Sequence, residues 1–128
     1  MTRDGRDDIW AYGLAGLLLV SGVAHFVAPD GFNDIVPHLL PGPARMWTGL
    51  SGMIELVLAA GVACRRTRSS AAAASAILFV LVFPANVQMA IDWSSRSAPQ
   101  PAIALLRLPL QLPLIWWAWH VRVLARRA

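Results

Sequence analysis

The sequence predicts an all-α integral membrane protein: a four-helix bundle with both termini cytoplasmic and a proline-rich outer loop between helices 1 and 2. Three observations predict it. Of the 128 residues, 57% are hydrophobic and 14% charged, whereas about a quarter of an ordinary soluble domain is charged. A chain this short has no interior large enough for that apolar surface. The apolar residues are gathered into four runs of about 20 residues, each spanning about 30 Å of hydrocarbon at about 1.5 Å per residue. The arginines are distributed unevenly around those runs. By its length the chain, residues 1–128, is a single transmembrane domain.

The first run covers residues 9–28 and stops at Pro29. Its leader sets Asp4, Asp7 and Asp8 against Arg3 and Arg6, and no small-residue cleavage site precedes a soluble domain. It therefore reads as a span and not as a signal peptide. The second run, residues 46–64, is interrupted by Glu55 and a few small polar residues. The third covers residues 71–91 and the fourth residues 102–121. None has the polar alternation of a membrane barrel strand.

The connections differ in character. Residues 65–70 form a tight link that makes helices 2 and 3 antiparallel neighbours. Residues 29–45 carry Pro29, Pro37, Pro41 and Pro43 around the apolar stretch Ile35-Val36-Pro37-His38-Leu39-Leu40. Such a segment is expected to lie along the outer interface as a cap. Residues 92–101 are rich in serine and proline.

Orientation follows from the flanks. Arg3, Arg6, Arg65, Arg66, Arg68, Arg122, Arg126 and Arg127 fall on one side, and only Arg45 and Arg96 on the other. The positive-inside rule puts the first group, and both termini, in the cytoplasm. Trp10, Trp116, Trp117 and Trp119 mark the inner boundary, while Trp47 and Trp93 mark the outer one, as aromatic belts do. The pI of about 11.0 is thus a topology signal. The basic residues flank apolar segments instead of forming one face, so lipid is the expected partner and nucleic acid is not.

Ionisable residues inside a membrane helix are costly and point to function. Glu55 and Gln111 fall about 14 Å below the outer boundary, Arg107 and Asn86 about 8 Å below it, and His25 about 5 Å. Every span thus contributes a polar group to the outer half, whereas the inner half is Leu, Val, Ile and Ala. Arg107 and Gln111 share a helical face, as do Ser21 with His25 and Ser51 with Glu55, and Gly52 permits a close backbone approach. The most economical pairing is Glu55 with Arg107, since an unpaired charge at either position is expensive. Pro84, Pro109 and Pro113 free backbone carbonyls that the bundle interior must satisfy. A small polar cavity beneath the 1–2 cap is the expected result. The bland alternative is that the Glu–Arg pair fixes helix register and the two amides glue helices together.

Other chemistries fit less well. His25 and His120 lie at opposite ends of their spans, so one haem cannot bridge them. His25, His38, Asp30 and Asp34 match no metal-ligand spacing, and no metal site is expected. Cys64 is the single cysteine, which excludes an internal disulfide. Its neighbours Arg65 and Arg66 are of a kind that lowers a thiol pKa. No phosphate-binding, dinucleotide-binding or hydrolase motif occurs.

Several distinct short motifs follow in order along the chain: Gly22-Val23-Ala24-His25-Phe26 with Pro29, Ile35-Val36-Pro37 with Leu40-Pro41-Gly42-Pro43, and Ser51-Gly52 with Glu55. Phe83-Pro84-Ala85-Asn86-Val87 with Met89-Ala90, and Leu106-Arg107-Leu108-Pro109-Leu110-Gln111, complete the set. Together, from Trp10 to Trp119, they resemble the DoxX-like family of small four-span bacterial membrane proteins. The resemblance implies a bundle in the bacterial cytoplasmic membrane associated with quinol oxidase, thiosulfate:quinone oxidoreduction or oxidative-stress complexes. This chain has no cysteine pair or haem-ligand pair of its own. The leading expectation is therefore a non-catalytic accessory or assembly subunit of a membrane redox or stress complex, with a protein partner or as a homo-oligomer. The alternative is a subunit binding a quinone or other small molecule through Glu55, Arg107, Asn86, Gln111 and His25. A small transporter is a third reading, for which four helices offer little room.

Overall fold

The computed structural model describes residues 2–128. The chain is all-helical and has four helices long and apolar enough to cross a membrane. In chain order the elements are α1 (Arg3–Val27), α2 (Pro29–Asn33), α3 (Ala44–Ala63), α4 (Arg68–Leu81), α5 (Phe83–Trp93) and α6 (Gln100–Arg127). The helix α1 packs on α3, α3 on α4, α4 and α5 on α6, and α6 back on α1. This closes a ring in which each long helix runs against its neighbour.

Local chemistry accounts for the boundaries. The leader expected to precede the first helix is part of it, because Thr2 is an N-cap whose hydroxyl accepts the Gly5 N–H at 3.3 Å. α1 ends at Val27, and Pro29 supplies the first residue of the five-residue α2, consistent with proline's fixed φ and missing N–H. The third long helix, Arg68–Trp93, is one span that breaks at Val82 into α4 and α5. Pro84 has no N–H for the Val80 carbonyl, and the break falls at Val82, whose N–H turns back to Leu78 and Val80. By contrast, α6 runs through Pro109 and Pro113 and continues to Arg127, past the expected end near residue 121.

The core divides lengthwise. Ala11, Leu14, Leu18, Val62, Ala72, Ala118 and Val121 pack in the half of the bundle that holds the termini. Alanines on α4 let the backbones approach, and Ser75 returns its hydroxyl to the Ala71 carbonyl at 2.8 Å. Arg68 closes this end. Its side chain, 8% exposed, donates to the carbonyls of Val62 at 2.9 Å and Ala63 at 3.2 Å, and to Asp8 Oδ1 at 2.7 Å. A cation is thereby placed on the negative end of the α3 dipole and tied to α1. Arg65 also donates to Asp8, and the Trp117 indole donates to the Trp10 carbonyl at 3.0 Å. Arg65 and Arg68, legible in the sequence as topology markers, are thus also structural fasteners.

Outside the core the bundle is apolar. Val20, Val57, Ile77, Leu105 and Leu112 are all more than half exposed, and no more than a third of each span's most apolar window is buried.

Candidate polar cavity

The half of the bundle away from the termini holds a cavity of about 500 Å³. His25 from α1, Glu55 from α3, Asn86 from α5, and Arg107 and Gln111 from α6 all line it. Phe32, Ile35, Val36, Pro37 and Leu40 from the 28–43 connection form one wall. That wall is fastened at two points: His25 stacks on Phe32 with ring centroids 3.8 Å apart, and the Trp47 indole donates to the Pro41 carbonyl at 2.7 Å.

Close packing of α1 on α3 positions the acidic side of the cavity. A Cβ added at Gly22 would lie 3.1 Å from the Gly52 carbonyl, and one added at Gly52 would lie 2.7 Å from His25 Cβ. Only glycines permit this approach. It places His25 Nδ1 3.4 Å from Glu55 Oε2. The same nitrogen is 2.8 Å from the Ser21 carbonyl. A carbonyl only accepts, so the ring proton is on Nδ1. Glu55 Oε2 has no hydrogen-bond partner among the described residues.

The pairing of Glu55 with Arg107 expected from sequence is not formed. Among the described residues, no carboxylate oxygen comes within 4.0 Å of the Arg107 guanidinium. The reason is the order of the ring: α3 packs on α1 and α4, while α6 packs on α1, α4 and α5. Similar depth in the bundle did not make α3 and α6 neighbours. Arg107 instead points Nη1 at the Met89 sulfur at 3.7 Å, a weak acceptor for a charged donor.

Asn86 and Gln111 do meet. Asn86 Nδ2 donates to Gln111 Oε1 at 3.0 Å, and Gln111 Nε2 donates to the Phe79 carbonyl just before the Val82 break. The two amides thus stitch the broken third span to α6, which is the interhelical role open to them in the sequence. Thr48 was not singled out by sequence, although it lies seven residues before Glu55 and shares its helical face. It is 3% exposed, lines the cavity, and its hydroxyl has no hydrogen-bond partner among the described residues.

Among the described residues, no group of three or more His, Cys, Asp or Glu is placed to hold a metal. His120 stacks on Trp116 at the terminus end, with centroids 4.8 Å apart, far in the fold from His25. Cys64 is exposed.

The chemistry available here combines a ligand-sized volume, an apolar wall, an under-satisfied cation on one side, and an unpartnered carboxylate oxygen and hydroxyl on the other. Residues 14–122 match the family described as a domain of unknown function, DUF8561, and the chain belongs to that family. No curated protein and no solved structure matches it.

Proposed function

We propose that this DUF8561 protein is a multi-pass membrane protein that holds a small amphipathic molecule in its polar cavity and serves as an accessory subunit of a membrane complex. One observation carries the binding reading: a cavity of about 500 Å³ to which all four spans bring a polar side chain. That volume lies within the range of small-molecule sites, about 300–1,000 Å³. Polar groups that serve only to glue helices are used up on one another, as Asn86 and Gln111 largely are. Arg107, Glu55 Oε2 and Thr48 are not.

The membrane setting rests on the four apolar helices and their exposed apolar sides. The arginine asymmetry supports cytoplasmic termini and a cavity facing the outer leaflet, and residence in a bacterial cytoplasmic membrane rests on the DoxX-like resemblance alone. The accessory role, in a redox or stress complex, rests on the DoxX-like resemblance and on a sequence without its own cysteine or haem-ligand pair.

Purification in mild detergent followed by native mass spectrometry tests this. The wild-type protein is expected to carry a small molecule together with a protein partner or a second copy. A cavity-filling Ser51→Phe variant is expected to fold and to lose the small molecule. Wild-type protein without any bound molecule, or equal retention by the variant, would defeat the binding reading.

A further inference from the structure

Building on that binding reading, we infer that the cavity selects an anionic amphiphile, whose carboxylate or phosphate head is held by Arg107. Arginine stays charged under all physiological conditions and presents five N–H donors in a planar fork suited to such heads. Among the described residues only one of those donors has a hydrogen-bond acceptor, and it is a thioether. No described carboxylate neutralises the guanidinium, because Glu55 is placed against His25 on the opposite side of the ring. A lone cation in a cavity walled by apolar helices is expensive. An anion entering beside it offsets that cost, and a neutral molecule such as a quinone does not.

The surroundings fit the rest of such a ligand. Leu78, Leu81, Leu110 and Leu114 line the same cavity and accommodate an acyl tail next to the head. A free fatty acid and an anionic phospholipid share this chemistry.

The test is competitive loading of the purified full-length protein, read by native mass spectrometry. The probes are oleate, oleyl alcohol, a neutral quinone, and vesicles of phosphatidylglycerol or phosphatidylcholine. Retention of oleate or phosphatidylglycerol is expected to exceed that of its uncharged or zwitterionic counterpart about tenfold or more, the scale of a charge-assisted hydrogen bond. Whether oleate or phosphatidylglycerol is retained identifies the source. Arg107→Gln is expected to abolish the preference, Arg107→Lys to keep part of it, and Glu55→Gln to keep or increase it. Equal retention of the alcohol or the quinone by the wild type overturns the anion assignment and leaves the binding reading standing. Loss of all probes defeats both. Should Arg107→Gln fail to fold, the headgroup preference of the wild type and of Arg107→Lys still decides.

Discussion

Gly22 and Gly52 face each other across the α1–α3 contact, each with its backbone carbonyl within 3.2 Å of where the other's Cβ would stand. This contact brings His25 onto Glu55 and leaves Arg107 without an acidic partner among the described residues. The electrostatics of the cavity therefore depend on two residues that carry no charge.

Enlarging either glycine forces the helices apart. Gly52→Ala places a methyl 2.7 Å from His25 Cβ, which is anchored to backbone and cannot swing away. A destabilisation of about 1–3 kcal/mol is expected, the usual cost of overpacking. Gly49→Ala, with nothing within 4 Å, is expected to be neutral. Thermal unfolding of both variants in the same detergent decides.

The fastening at the terminus end is expected to be acid-labile. Asp8, just before the apolar run that starts at Ile9, is held below the usual carboxylate range by hydrogen bonds from Arg68 and then Arg65. A depressed carboxylate contributes stability in full above its unfolded pKa, about 3.9. That contribution is lost as pH falls through the lower folded value. Asp8→Asn is thus expected to melt below wild type at pH 7, and the two melting curves should converge on acidification below about pH 4. A constant gap across that window would show that Asp8 acts through something other than its charge.

The amide pair makes a graded prediction. Gln111→Leu strips both Asn86 and the Phe79 carbonyl of a partner, and is expected to cost about 1–3 kcal/mol for buried groups left unpaired. Asn86→Leu leaves the bond to Phe79 intact and should cost less. Unfolding measurements that reverse this order would remove Gln111 from its bridging position.

Much of this architecture is visible in the sequence because it is local. Apolar run length gives the four long helices, Pro29 marks the end of α1, and the spacing of Ser51, Gly52 and Glu55 puts them on one face. The 3.6-residue period also contained Thr48, which was readable at seven residues from Glu55 but carries no charge to draw attention. The break at Val82 was implicit in Pro84, whereas Pro109 and Pro113 passed through α6 unbroken. A proline's effect depends on whether tertiary packing can hold the helix together, and a single strand of sequence does not carry that information.

By itself the sequence determined the helical class, the four apolar helices and the gathering of polar side chains in one half of the bundle, since these follow from periodicity and composition along the chain. Only the tertiary structure decided which polar groups meet. Depth along a helix places Glu55, Arg107, Asn86, Gln111 and His25 in similar layers, but the order of helices around the ring selects the partners. That order is set by where backbones can approach closely, as Gly22 and Gly52 do. Glutamate consequently faces histidine, the two amides close the broken span, and the arginine stands in the cavity with no carboxylate partner among the described residues.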